Sequence, residues 1–146
     1  MALKILRLII LVAFVATLFT TQPAAAWDYN QPAPDLVGAF GNGEFGHRVV
    51  LLPNGNFVVT DPKYSSFFAF TIGAVYLVDG RTHHIISSMI GSHTGDMVGS
   101  GGVDVLTGGD YVVISPSWAY NDGVTTYNDT GAVTLCSAKT GCSGVV

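Results

Sequence analysis

Residues 52–62 read LPNGNFVVTDP, and residues 106–116 read LTGGDYVVISP. Laid over one another 54 positions apart, they match Gly55 to Gly109, Phe57 to Tyr111, Val58 to Val112, Val59 to Val113 and Pro62 to Pro116. Each stretch carries a tight-turn signal, an apolar burst and a closing proline, which cannot donate to a β-ladder. The match continues in both directions. Gly73-Ala74-Val75-Tyr76-Leu77 returns as Gly131-Ala132-Val133-Thr134-Leu135, now 58 positions on, and the four extra residues fall in the polar connection 119–130. Upstream, Val37-Gly38 answers to Ile90-Gly91, Gly43-Glu44 to Gly95-Asp96, and Phe45-Gly46 to Val98-Gly99. The chain says one thing twice, which is the signature of a repeat architecture.

Each copy holds four strand-like runs. In the first they are His47–Leu52, Asn56–Thr60, Gly73–Val78 and His84–Met89; in the second, Gly102–Leu106, Asp110–Ser115, Gly131–Cys136 and Ser143–Val146. Val, Ile, Tyr, Phe and Thr suit a pleated surface, the glycines suit turns with positive φ, and no stretch sustains a helical apolar period. The expected class is all-β, with antiparallel blades of the β-propeller type, two repeats making an incomplete propeller. Gly55 and Gly109 are expected at positive φ in matching hairpins. The FVV and YVV runs are expected to be buried on both faces between neighbouring blades.

The first residues stand apart. Lys4 and Arg7 precede an apolar stretch from Leu8 to Phe19, and Ala24-Ala25-Ala26 stands before Trp27. This order reads as a secretory signal peptide cleaved after Ala26, too short in its apolar part to span a bilayer. The expected location is secreted, extracellular or periplasmic. The organisation is then 1–26 signal, 27–35 leading segment, 36–89 first repeat and 90–146 second repeat. The second repeat stops inside its fourth strand, as a fragment or a chain needing further copies or missing blades would. Without residues 1–26, four basic residues face all ten acids. No basic stripe remains for nucleic acid, and anionic lipid surfaces are disfavoured.

Phe45-Gly46-His47-Arg48-Val49, Phe57-Val58-Val59-Thr60-Asp61-Pro62 and Gly73-Ala74-Val75-Tyr76-Leu77-Val78, in that order, resemble the FG-GAP blade of integrin-α-type β-propellers. The second copy matches less fully, through Val98-Gly99, Ser115-Pro116 and Gly131-Ala132-Val133. Closer still is a resemblance to the Gly-rich repeat of large secreted bacterial proteins of haemagglutinin or adhesin type. The resemblance spans about residues 36–146 and implies the propeller fold. The Asp-rich Ca²⁺ loop of the FG-GAP blade is not matched: Pro53-Asn54-Gly55-Asn56 and Thr107-Gly108-Gly109-Asp110 lack the several carboxylates such a cation takes. No cofactor or metal is expected.

Catalytic chemistry finds little support. Glu44 and Asp96 recur at matching places, where an acid serves as a turn cap more often than as a catalytic group. His83 and His84 are adjacent and would point to opposite faces of a strand, and His47 and His93 stand alone near turns. Ser92-His93 pairs a hydroxyl with a base, but as sequence neighbours outside any nucleophile elbow. Gly99-Ser100-Gly101-Gly102 lacks the Lys and helix of a phosphate cradle. Asn128-Asp129-Thr130 matches the N-glycosylation sequon.

The candidate binding residues are Trp118, Tyr120, Asn121, Asp122 and Tyr127, in the longest and most polar loop, where aromatic and amide groups could form a carbohydrate or protein contact surface. The bland alternative is that they cover blade tops. Cys136 and Cys142 could oxidise together after export; a four-residue loop would turn them to opposite faces, a five-residue loop would pair them. The leading expectation is a secreted, non-enzymatic module for surface adhesion or extracellular recognition. The rivals are a hydrolase or lyase with its site at a propeller hub, using Glu44, Asp96 or the histidines, and a structural spacer.

Overall fold

In the computed structural model, described for residues 35–38, 43–142 and 144–145, the protein is all-β. The expected signal peptide and its Ala26 boundary, and most of the leading segment, lie outside the described residues. Among these residues no helix is long and apolar enough to cross a membrane.

The first repeat is an antiparallel meander of β1 (Arg48–Leu51), β2 (Phe57–Asp61), β3 (Ala74–Val78) and β4 (Ile85–Ile90). The second repeat builds β5 (Gly102–Val105), β6 (Tyr111–Ser115) and β9 (Ala132–Cys136) into a three-stranded antiparallel sheet. Both sheets are open.

The repeat is as plain in hydrogen bonds as in letters. Leu52 N–H donates to Asn56 O and Gly55 N–H to Leu52 O; 54 positions on, Leu106 N–H donates to Asp110 O and Gly109 N–H to Leu106 O. Gly55 and Gly109 both take positive φ, 89° and 92°. Gly73 N–H donates to Tyr64 O, and Gly131 N–H to Trp118 O, so the bond survives the four-residue insertion. The registers repeat as well: Val58 opposes Leu77, and Val112 opposes Leu135.

The second copy departs from expectation at two points. The expected fourth strand at Ser143–Val146 does not join its own sheet. Instead β10 (Gly144–Val145) pairs in parallel with β4 of the first repeat, Gly144 opposite Met89 and Val145 opposite Ile90. The cause is the turn before it: Ser137 and Gly141 bond to each other, and the side-chain amides of Asn54 and Asn56 both donate to Ala138 O, holding the turn against the first hairpin. The chain is thereby delivered to the edge of the first sheet. The polar loop after Trp118 is also not irregular throughout. It contains a small hairpin of β7 (Tyr120–Asn121) and β8 (Thr126–Tyr127).

The two sheets stack front to back. Side chains alternate across a strand, so Val58, Val75, Leu77 and Met89 share one face of the first sheet, and Tyr111, Val113 and Cys136 share one face of the second. These, with Val98, make a single buried core between the repeats. Each fully buried aliphatic side chain there contributes ~1.5–3 kcal/mol. The equivalent of Val113 in the first repeat is Val59, which lies in a separate core on the other side of the first sheet with Tyr76 and Val78, against Leu36, Phe45, Phe57 and Tyr64. Thus β2 is buried on both faces as expected, whereas β6 alternates between buried and half-buried positions.

Candidate functional site

The candidate binding residues fall together on the β7–β8 hairpin. Tyr120 is paired with Tyr127 and Asn121 with Thr126. The turn between them is closed by its own side chains. Asp122 accepts from Val124 N–H and Thr125 N–H at 2.9 and 2.7 Å, and Asn121 Oδ1 accepts from Gly123 N–H. These donors, Thr125 first, hold the Asp122 carboxyl below its ordinary value. Register places the two tyrosine rings side by side, stacked at 6.2 Å, with Trp118 leaning on Tyr120 at 6.3 Å. Both tyrosines are about half exposed, at 47% and 50%. Trp118 roots the ladder by packing against the inter-repeat core, where its indole Nε1 is buried with no hydrogen-bond partner.

The sequence reading missed the matching feature of the first repeat. Its β2–β3 connection projects Phe67 and Phe68, each 92% exposed, and Phe70, 68% exposed. Ser66 holds this tip by accepting from Phe68 N–H and Ala69 N–H. The signal was present as three phenylalanines outside any strand, between serines and a threonine; apolar letters simply read as core. Both tips are tied to one inter-repeat segment. Phe70 N–H donates to Thr94 Oγ1, Gly95 N–H to Phe70 O, and Ala119 N–H to Asp96 Oδ1. The two aromatic tips therefore leave the repeats at the same end.

The acids at matching positions behave differently. Asp96 is fully buried and caps its loop, accepting from Ser92, His93 and Ala119 N–H groups. Glu44 is solvent-facing, paired to Lys63 and His47, and Lys63 holds its carboxyl below the ordinary value. The buried acid of that turn is Asp61, which accepts Glu44 N–H and whose carboxyl burial pushes up.

Ser92 Oγ does reach His93 Nδ1, at 2.8 Å. But Asp96 stands 3.9 Å from that same Nδ1. A relay needs the hydroxyl and the carboxylate on opposite ring nitrogens, so the trio is a turn. Tyr76 and Tyr111 are pushed up to about 12 by burial and serve packing. Cys136 and Cys142 are joined in a disulfide across the turn closed by Ser137 and Gly141, the pairing arrangement of the two that the sequence left open.

A cleft of about 490 Å³ lies where the hairpin turns Pro53-Asn54 and Gly108-Asp110 meet the 137–139 turn. Two of its polar side chains are spent inside the protein: Asp110 accepts Ala138 N–H, while Asn54 donates to Ala138 O.

The molecule is thus a tandem of one β-repeat, varied at its loop tips. Over residues 51–100 and 105–146 it matches the model of a repeat of unknown function, DUF5650, and the chain belongs to that family. The two matched segments begin 54 positions apart, the spacing of the hydrogen bonds. No curated protein and no solved structure matches it.

Proposed function

We propose that this chain is a secreted, non-enzymatic module of β-propeller-type blades, of the adhesin-like kind its motifs resemble, which recognises an extracellular protein or carbohydrate through the aromatic tips of its repeats. The observation that carries this reading is the β7–β8 hairpin: stacked, half-exposed Tyr120 and Tyr127, pre-ordered by the turn bonds of Asn121 and Asp122. A rigid aromatic surface with polar neighbours loses little conformational freedom on binding. It also stands where the two repeats differ in length, and tip loops on a rigid scaffold are the usual carriers of recognition. The four-stranded antiparallel meander and the front-to-back stacking support the blade reading. The signal-like first 26 residues support secretion.

Glycan-array and cell-binding measurements on the purified protein test it. Binding should fall at least about tenfold in a Tyr120→Ala/Tyr127→Ala double variant, since aromatic anchors dominate interfaces, while the melting temperature stays within a few degrees. Absence of binding by the parent protein, or binding untouched by the double variant, would overturn the reading.

A further inference from the structure

Equivalent positions in the two repeats differ in what covers them. In the first sheet, the face bearing Val58, Val75 and Leu77 is buried to 0%, 2% and 1% exposure by the second repeat. The same face of the second sheet bears Val112, Val133 and Leu135, and there Val133 is 69% exposed and Leu135 67%. Ile114 is half-buried on it, and β9 is an edge strand with no further partner among the described residues.

The opposite side of the molecule has the complementary opening. Gly99, in the turn before β5, has φ 80°, and a Cβ there would strike Val75 at 2.6 Å and approach Thr60 at 3.4 Å. Its equivalent in the first repeat is Gly46, at φ 87°, and a Cβ there meets nothing within 4 Å. The position that receives Val75 inside the chain is thus open at Gly46, and the counterpart of Val75, Val133, is exposed.

A third correspondence completes the pair of surfaces. Leu36-Val37-Gly38 aligns with Met89-Ile90-Gly91, the end of β4. Met89 lies in the core between the repeats, and Leu36 lies in the equivalent core of the first repeat. Residues 36–38, which pair with no strand among the described residues, therefore hold the place in the first repeat that the end of β4 holds before the second. The second sheet is the one whose fourth strand has gone elsewhere, to β4.

From this geometry we infer that the outer face of β5, β6 and β9 docks a second copy of this chain head to tail. Val133 and Ile114 of one copy seat against Gly46 of the next, and the next copy's Leu36 strip lies beside β9. The contact is heterologous: it repeats the Val75–Gly99 approach between molecules, with the half-buried Leu36, Phe45 and Phe57 that already cover Val59 and Val78 as the receiving surface, so it builds rings where the rotation closes and open arrays where it does not. It is expected to be weaker than the internal interface. The amide donors Asn54 and Asn56, which latch Ala138 in the first repeat, are replaced at the equivalent positions by Gly108 and Asp110. The inference rests on the stacking of the repeats and is independent of any ligand at the aromatic tips.

Sedimentation velocity on the purified chain, over rising concentration, tests it with two variants chosen to spare the fold. Leu135→Asp places a charge on the exposed face, and burying it unpaired should weaken association at least about tenfold. Gly46→Asn fills the opening on the other side with a residue that tolerates positive φ. The parent chain should associate, and each variant alone should remain monomeric with a folded circular-dichroism spectrum. An equimolar mixture of the two should form a one-to-one dimer, because each retains the surface the other has lost. A parent chain that stays monomeric, association by Gly46→Asn alone, or a mixture with no dimer would overturn the head-to-tail arrangement.

Discussion

At Gly55 and Gly109 the two repeats make the same backbone demand, and neither site is crowded, for a Cβ at either would meet nothing within 4 Å. The cost of a side chain there is conformational alone. An alanine held at positive φ costs ~1–2 kcal/mol, of which a part is returned because the unfolded chain loses freedom too. Gly55→Ala and Gly109→Ala are each expected to destabilise by about 1 kcal/mol, alike within error, in denaturant melts; a neutral result at one site alone would break the equivalence of the hairpins. The carboxylates divide by environment. Asp79 is held below 3.8 by the N–H groups of Thr82 and Arg81, Asp122 by those of Thr125 and Val124, and Glu44 below 4.5 by Lys63. Asp61 is pushed above 3.8 by burial. The linkage signs follow. The first three contribute stability at pH above their ordinary values, lost as pH falls through the lowered ones. Asp61 contributes below 3.8 and loses that contribution as pH rises through its raised value. A carboxyl-carbon NMR titration should find Asp61 titrating above Asp79 and Asp122; Asp61 falling below them would show its carboxylate stabilised instead by the amides around it.

Between elements, one equivalent pair isolates what the neighbouring repeat does. Gly73 and Gly131 open β3 and β9, with φ of 75° and 78°. A Cβ at Gly131 would stand 3.3 Å from Pro116 O, a contact a small shift relieves. At Gly73 it would lie 2.2 Å from the Val98 backbone nitrogen, where the first repeat meets the segment leading into the second. Gly131→Ala should therefore cost about 1 kcal/mol, the conformational term. Gly73→Ala should cost more than about 3 kcal/mol, since a backbone must move, which places it in the severe tail of single substitutions. Melts of the two variants side by side decide this, and equal destabilisation would mean that the Gly73–Val98 approach is not kept in solution. The hairpins, the strand-ending prolines and the repeat spacing could be read from the letters because each is set by local chemistry. The destination of the last strand could not: β10 follows from the 137–141 turn being latched by Asn54 and Asn56, 82 to 84 positions away in sequence.

On the scale of the whole molecule, burial is a property of a position's neighbour, so two nearly identical segments carry different environments. Val75 and Val133 are the same letter at the same place in the repeat, one 2% and the other 69% exposed. The aromatic ladder of Trp118, Tyr120 and Tyr127 was legible because tyrosine and tryptophan among polar residues suit a surface, whereas Phe67, Phe68 and Phe70 were passed over despite the flanking Ser65, Ser66 and Thr71, because phenylalanine carries no polar atom to mark it as outside. The dependence on neighbours has a thermodynamic consequence. The main core takes Val58, Val75, Leu77 and Met89 from the first repeat and Val98, Tyr111, Val113 and Cys136 from the second, so among the described residues the second repeat has no core cluster that does not draw on the first. Unfolding should accordingly be a single transition. Trp118 reports on the interface, and its fluorescence in a Trp27→Phe variant, which leaves it the sole tryptophan, should melt at the same midpoint as the far-ultraviolet circular dichroism. Val113→Asp, a charge in the middle of that core, should unfold both repeats together, because an isolated buried carboxylate costs several kcal/mol at least. Two separated transitions, or a Val113→Asp protein that keeps half its strand signal, would show that each repeat folds on its own.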